Sequence, residues 1–263
     1  VMLTVTDSTR KGYDMEYTFL EFVSDDQIKS EAQNLVGQAT DILNDATVGT
    51  TIRFRTDQCG KIVKYYNLKD IRKQAKEVLT KAISKMPYAD SLRAVGLDPD
   101  KLMSMIDSDN LVDGYTEEIE LLFNYHGGQY QIGKTESHED ATENEYASDT
   151  KTDIWLNPDT YEYGISADVY SYIPREDIKV LLGNIIEYFT DEESAKDVRK
   201  GLDTEFDSQV TTDGVYNSYV RISYFNDGWP QEVVSQDNIS LGDRQKLKQK
   251  YITWDYRSVG HSE

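Results

Sequence analysis

Apolar and polar positions alternate along the first part of the chain in a way that predicts a strand followed by a helix. Within residues 13–23, every second position from Tyr13 to Phe19 is apolar, which is the period of a half-buried strand. Ser24 and Gln27 then form a capping box, and the apolar positions that follow recur at helical spacing. The sequence therefore opens with a strand and an amphipathic helix.

A hairpin and a second helix are predicted next. Two short runs of strand-forming residues, 51–55 and 62–66, flank a turn that contains Gly60. Asn67 is a helix-capping residue in front of an apolar stripe at helical spacing, and Pro87 follows the end of that stripe.

The stretch from residue 88 to residue 127 is predicted to be helical in pieces. Pro99 lies between two aspartates and suits the first turn of a helix, with Leu102 and Met105 on its apolar side. Residues 116–125 fit either a helix or a strand, and we favour a helix at their start.

Residues 129–173 have the pattern of an antiparallel meander, with a turn at residues 157–159. Within it, residues 135–151 are rich in Glu, Asp, Thr and Ser and lack aliphatic side chains apart from alanine. They are either a mobile loop or the polar ends of two long strands.

The rest of the pattern predicts two helices and a second meander. Apolar residues at helical spacing indicate a helix over residues 174–189, and a short helix follows through Leu202. Three strands are predicted over residues 205–211, 215–225 and 229–235. The run Asn226-Asp227-Gly228 is a strong signal for a hairpin turn between the last two strands.

These elements predict an α+β fold in which an antiparallel sheet, flat or curved, consists of two meanders packed against helices. We expect a strand–helix–hairpin–helix module in residues 1–127. Residues 128–241 are expected to form two antiparallel meanders separated by helices and to share one core with that module. The basic segment 242–263 is expected to be a polar tail. An internal duplication of the two halves is left open.

The composition is that of a folded and strongly acidic protein. The 263 residues include 48 Asp and Glu against 28 Lys and Arg, which gives a net charge of -20. A field of this sign repels a phosphate backbone, so we expect no nucleic-acid partner. The charge serves either as a solubilising surface or as an attraction for cations, sugars or a basic partner. No long uninterrupted apolar run is present, so the sequence predicts no transmembrane segment.

Metal and cofactor motifs are incomplete. The segment from Asp107 to Glu118 resembles a calcium loop, but Leu111 stands at a ligand position and Val112 where the turn needs glycine. His138 has acidic neighbours, yet their spacing matches no closed metal site. Those neighbours are Glu136, Glu139 and Asp140. No glycine-rich phosphate loop occurs, and we predict neither a metal site nor a cofactor.

No motif marks a catalytic group. Cys59 is the single cysteine, which excludes an intrachain disulfide, and it lies in a predicted turn rather than at a helix N-terminus that would activate the thiol. Carboxylate pairs suited to glycan hydrolysis occur, but the sequence does not show which of them converge. The candidates are Glu117, Glu118 and Glu120, and Glu162 with Asp159 and Asp168. We assign no catalytic residue.

Aromatic side chains are dense in the two predicted meanders, and the chain has 19 tyrosines. Alternation places Tyr161 and Tyr163 on one face of a strand, and Tyr170 and Tyr172 on one face. These rings either pack across strands under the helices or form an exposed face that receives a ligand. The candidate ligand-binding residues are Trp155, Tyr161, Tyr163, Tyr170, Tyr172, Tyr224 and Trp229.

Two segments resemble uncharacterised exported bacterial lipoproteins. The first runs from Phe54 through the Asp57-Gln58-Cys59-Gly60 turn to the Asn-capped helix that starts near Asn67, and the second is the Asn226–Pro230 hairpin. The resemblance implies a location in the cell envelope and a curved sheet packed on helices. It brings no catalytic residues.

We therefore expect an exported, non-enzymatic binding or carrier protein, periplasmic or at the cell surface, whose ligand is a small molecule, a glycan or an envelope protein. The first residue is Val1 rather than methionine, and we expect a trimmed chain with a lipid anchor upstream as one form of export. A carboxylate-dependent glycan hydrolase and a structural subunit of an envelope assembly are the alternatives.

Overall fold

The structure is a computed structural model that describes residues 1–22, 44, 47–85, 110–143, 145–189 and 192–254. The chain divides into two compact units. The first contains Val1–Gly128 and Tyr188–Ser194, and the second contains Gln129–Glu187 and Ala195–Glu263. The predicted helix after Ser24, the predicted helical start at Pro99 and residues 255–263 lie outside the described residues.

The fold is α+β with antiparallel sheets, as predicted. In the first unit the described elements are β1 (Met2–Thr9), β2 (Gly12–Thr18), β3 (Thr51–Thr56), β4 (Ile62–Tyr65), α1 (Leu68–Lys85) and α2 (Asn110–Phe123). The strands form a sheet in the order β1-β2-β3-β4, each antiparallel to its neighbour. The predicted hairpin and the helix after Asn67 are confirmed, and the ambiguous stretch from residue 116 begins as a helix.

Strand β1 was not predicted, because its apolar alternation is short: Leu3 and Val5 alternate with threonines, and a polar run follows. Seven of its eight residues are exposed, so it contributes no buried apolar face. Its partner β2 carries that face instead: Met15 and Tyr17 are buried and lie directly opposite Phe54 and Ile52 of β3.

Helix α2 packs on the buried face of this smaller sheet. The ring of Phe123 meets that of Phe54 edge-on, with centroids 5.7 Å apart. Ile119 of α2 is fully buried, and its neighbour Glu118 accepts a hydrogen bond from the hydroxyl of Tyr17 on β2. Burial, the negative charge of Glu118 and this hydrogen bond raise the pKa of Tyr17 far above its usual range. The phenol therefore stays protonated and satisfies a carboxylate at the edge of the core.

The second unit is built on a larger sheet of six strands in the order β10-β9-β8-β7-β6-β5. Its elements are β5 (Gly133–Glu139), β6 (Ser148–Leu156), β7 (Tyr163–Ile173), α3 (Arg175–Phe189), α4 (Glu192–Gln209), β8 (Gly214–Tyr224), β9 (Pro230–Leu241) and β10 (Arg244–Thr253), except that the last two residues of α3 and the first three of α4 are grouped with the first unit. Each strand pairs in antiparallel fashion with the strand that follows it in the sequence. The two predicted meanders therefore form one sheet, joined where β7 pairs with β8. Of residues 135–151, 135–139 and 148–151 are the polar ends of two paired strands, and the described residues between them are outside both strands.

Two secondary-structure predictions in this unit were wrong. Residues 205–211 are not a strand: α4 continues to Gln209, and the amide of Val210 donates to the carbonyl of Phe206 at 2.8 Å. Both side chains are buried and stand four residues apart, which is helical spacing rather than alternation. Residues 244–253 of the expected tail form strand β10, because their cations alternate with uncharged residues in the period of a strand.

The register of the larger sheet separates two faces. Ile165, Ile222 and Val233 stand opposite one another on β7, β8 and β9 and are buried, and we name this side the covered face. A Cβ added to Gly214 on this face would lie 2.6 Å from Cδ1 of Ile178, so α3 covers part of it. The opposite side, which carries Asp149 and its neighbours, is the open face.

Within the part of the chain that the structure describes, none of the helices combines the length and the apolar character that crossing a membrane requires.

Candidate functional site

A groove of about 560 Å³ lies on the open face over β5, β6 and β7. This volume is within the usual range for sites that hold a small molecule. The groove is lined by Glu136, Ser137, His138, Asp149, Thr150, Lys151, Tyr170 and Tyr172. Two of the predicted ligand-binding tyrosines are thus in it.

Opposite charges across β5 and β6 set the register that builds the groove. The facing pairs on the open side are Lys134 with Asp153, Glu136 with Lys151, and His138 with Asp149. A slip of β5 by one residue would turn its side chains to the other face and break these pairs, so the opposite charges favour the observed register.

Asp149 is the centre of a hydrogen-bonded group in the groove. Its Oδ1 is 2.7 Å from Nδ1 of His138, and its Oδ2 accepts a hydrogen bond from the Tyr172 hydroxyl at 2.7 Å. Nε2 of His138 lies 3.4 Å from Asp140. We name His138, Asp149 and Tyr172 the Asp149 cluster. Its members come from three adjacent strands, so the sheet holds them in place.

The hydrogen bonds of the cluster shift the pKa values of its members in opposite directions. The hydrogen bond from Tyr172, followed by that from His138, lowers the pKa of Asp149. The hydrogen bond with Asp149 raises the pKa of His138, and the same carboxylate raises the pKa of Tyr172. The arrangement therefore favours an ionised carboxylate, a protonated imidazole and a neutral phenol side by side.

Tyr170 extends the groove toward β8. It stands directly opposite Asp149 on one side and Asn217 on the other. The Asn217 amide donates to Oδ1 of Asp168 at 2.6 Å, and the charge of Asp168 raises the pKa of Tyr170. The open face thus offers a phenol ring next to an ordered amide and carboxylate.

Trp155 lies on the same face, farther along β6. It stands opposite Gly164, and a Cβ added there would lie 2.0 Å from Cζ2 of the indole, so the ring lies across the glycine. The guanidinium carbon of Arg221 is 5.2 Å from the ring centroid, within range of a cation–π contact. Six residues separate Trp155 from Asp149, which corresponds to roughly 20 Å along an extended strand.

The other predicted aromatic residues do not join this face. Tyr163 and Tyr224 belong to the covered face, where their rings stack with centroids 4.8 Å apart. The prediction that Tyr161 shares a face with Tyr163 was wrong, because Tyr161 lies in the turn before β7 with a φ of 59°. Trp229 follows the Asn226–Gly228 turn, and its amide donates to Asp227.

Sequence reasoning found His138 but not its partner. It grouped His138 with Glu136, Glu139 and Asp140, whereas the structure pairs it with Asp149 on the next strand and places Asp140 3.4 Å from its Nε2. Aligning 133–139 against 148–156 as paired strands would have matched the opposite charges. In the described ranges, no three His, Cys, Asp or Glu side chains are placed to hold a metal ion.

The carboxylates proposed for hydrolysis have other surroundings. Glu118 and Glu120 of α2 accept hydrogen bonds from Tyr17 and Tyr65 of the smaller sheet. Asp159 and Glu162 lie in the turn between β6 and β7, whereas Asp168 lies in the middle of β7. The second group therefore does not converge on one bond.

Comparison of the chain with protein-family models, with curated proteins and with solved structures finds no match in any of the three.

Proposed function

We propose that this protein is a non-enzymatic binding protein that holds an elongated, uncharged or basic glycan across the open face of the larger sheet. The observation that carries the proposal is the groove of about 560 Å³, in which two tyrosines stand beside a fixed carboxylate and imidazole. Aromatic ring faces pack against the C–H faces of sugars, and fixed polar groups hydrogen-bond their hydroxyls.

The polar groups of the groove are held before any ligand arrives. Asp149 accepts hydrogen bonds from side chains on both neighbouring strands, and Asn217 is tied to Asp168. Binding then loses little conformational entropy at these side chains, which favours affinity. The hydroxyl of Tyr172 is engaged, so its contribution is the ring face and the acceptor capacity of its oxygen.

The length and charge of the ligand follow from two further observations. Trp155 shares the open face at roughly 20 Å from Asp149, so an extended chain can contact both places. The net charge of -20 repels anionic polymers at a distance, which favours neutral or basic sugars. Export to the cell envelope is part of this proposal and is supported by the resemblance of the two turn-containing segments.

Isothermal titration calorimetry against neutral oligosaccharides from chitin, cellulose and starch tests the proposal. Tyr170→Ala and Tyr172→Ala should each weaken binding at least about tenfold, since an aromatic ring that the bound ligand covers is a typical hot spot. Tyr161→Ala is the matched control, because that tyrosine is exposed in a turn outside the groove, and it should leave affinity unchanged. Binding that tolerates both groove substitutions would refute this site.

One observation favours the hydrolase alternative: Glu136 and Asp149 both line the aromatic groove. The lowered pKa of Asp149 makes it unsuited to be the general acid, whose pKa must be raised. The two functions separate in a reducing-end assay on the same oligosaccharides. Product that accumulates with the natural protein but not with Glu136→Gln would replace the binding proposal by hydrolysis.

A further inference from the structure

Strand β10 forms one edge of the larger sheet. It pairs with β9 along all ten of its residues, and in the described part of the chain no strand lies on its other side. Eight of the ten residues are exposed. An edge of this length presents a row of outward-pointing amide and carbonyl groups, which is a template for another strand.

The edge carries four basic residues at alternate positions. Arg244, Lys246, Lys248 and Lys250 occupy every second position and therefore point to one side of the sheet, about 7 Å apart. Leu247 and Tyr251 point to the other side, and their side chains are 60% and 61% exposed. In a protein of net charge -20, β10 is thus a local basic stripe backed by exposed apolar groups.

Both ends of the strand are anchored. The Arg244 guanidinium donates to Oε1 of Gln209 at 2.8 Å, and the indole N–H of Trp254 donates to the carbonyl of Pro230. Among the described residues the strand is therefore held extended without an outer neighbour, which lowers the entropy that an added strand would have to overcome.

Edge lysines also occur as protection against pairing with other strands. Protection does not require large exposed apolar side chains on the opposite side, and Leu247 and Tyr251 would weaken it. Three lysines on one side repel a basic strand but attract an acidic one. A partner whose acidic and apolar residues alternate would match both sides of β10 at once.

From this geometry we propose that β10 is a docking edge for an extended segment of another protein in which acidic and apolar residues alternate, added as a further strand. The main-chain hydrogen bonds provide affinity, and the alternate side chains provide specificity. A free polyanion fits less well, because the charge of the whole protein repels it at long range and it makes no main-chain hydrogen bonds.

Fluorescence anisotropy with a labelled nonapeptide of alternating Glu and Val, at about 0.15 M salt, tests the inference. A peptide of the same composition with Glu and Val in separate blocks is the control ligand. We expect the alternating peptide to bind and the block peptide to bind at least about tenfold more weakly. Amide hydrogen exchange of residues 244–253 should slow when the alternating peptide is added.

Charge reversal on the strand is the matching protein test. The double variant Lys246→Glu/Lys248→Glu should lose at least about tenfold in affinity, and Lys246→Gln/Lys248→Gln should lose less. The control Lys196→Glu/Lys200→Glu changes two exposed lysines of α4 and should bind as the natural protein does. Oligosaccharide binding should be unchanged in all three, which separates this inference from the groove.

Three results would overturn the inference. One is the absence of binding by the alternating peptide. Another is equal binding of the block peptide or of polyglutamate, which would make β10 a polyanion site. The third is self-association in sedimentation velocity that the reversed lysines abolish, which would make a second copy of the chain the partner.

Discussion

The close contact between Trp155 and Gly164 leads to a prediction whose magnitude follows from the distances between them. A Cβ added at Gly164 would lie 2.0, 2.5 and 2.6 Å from three indole atoms, whereas ordinary contact begins at 3.4 Å. Gly164→Ala must therefore push the indole away by more than about 1 Å or shift the strand. We expect the substitution to lower the free energy of unfolding by about 1–3 kcal/mol, the usual range for overpacking.

The same substitution should behave differently when the indole is absent. In a Trp155→Ala background the added methyl group meets no ring, and alanine is favoured over glycine in a strand by roughly 0.5–1 kcal/mol. Gly164→Ala should then be neutral or stabilising. The coupling free energy between the two positions is expected to be about 2 kcal/mol, which marks direct contact.

Urea unfolding of the four proteins, followed by far-ultraviolet circular dichroism, measures this cycle. Gly201→Ala is the control: it adds a methyl group inside α4 with no atom within 4 Å and should stabilise by about 0.5–1 kcal/mol. The reasoning would be refuted if Gly164→Ala lowered the free energy of unfolding equally with and without Trp155. Such a result would mean that the glycine is needed for its backbone and not for the ring across it.

Two further predictions concern single hydrogen bonds to carboxylates. By NMR, the pKa of His138 should lie above its ordinary value of about 6.5, and Asp149→Asn should return that pKa toward the ordinary value. Because the pKa is raised in the folded state, the stability that the His138–Asp149 pair contributes is complete below about pH 6.5. It is lost as the pH rises through the folded-state pKa. An unchanged titration in the variant would contradict the assigned pair. In urea unfolding, Tyr17→Phe should cost about 1.5–3 kcal/mol because Glu118 loses a charge-assisted hydrogen bond at the core edge, and a loss below about 0.5 kcal/mol would show that water replaces the phenol.

Hydrogen bonds from tyrosine hydroxyls to carboxylates link the two abundant residue classes of this chain, its 19 tyrosines and its 48 acidic residues. They recur in both units, as Tyr17 with Glu118, Tyr65 with Glu120, Tyr66 with Asp14, Tyr172 with Asp149 and Tyr216 with Asp237. A protein rich in acidic residues needs donors that can enter half-buried sheet surfaces, and tyrosine supplies one on a rigid apolar ring. Part of the tyrosine content is therefore structural, and the groove uses the same pairing at Tyr172.

Local pattern determined most of the elements of this fold. Alternation and capping signals located the hairpin after Thr51, the helix after Asn67, the two meanders and the Asn226–Gly228 turn, because these depend on neighbours in the chain. Apolar alternation did not reveal β1, where Leu3 and Val5 are its only alternating apolar positions, or β10, where cations rather than apolar residues alternate. It also failed for Tyr161, where a left-handed backbone ends the alternation.

Only the tertiary structure decided the candidate sites. His138 and Asp149 are eleven residues apart, and Tyr172 is a further twenty-three, so their hydrogen bonds exist only in one register of three strands. The same register places Tyr163 on the covered face, stacked on Tyr224, and Tyr170 on the open face. Sequence periodicity states that two residues share a face, but which face is covered depends on where the helices between β7 and β8 pack, and that is a long-range property of the chain.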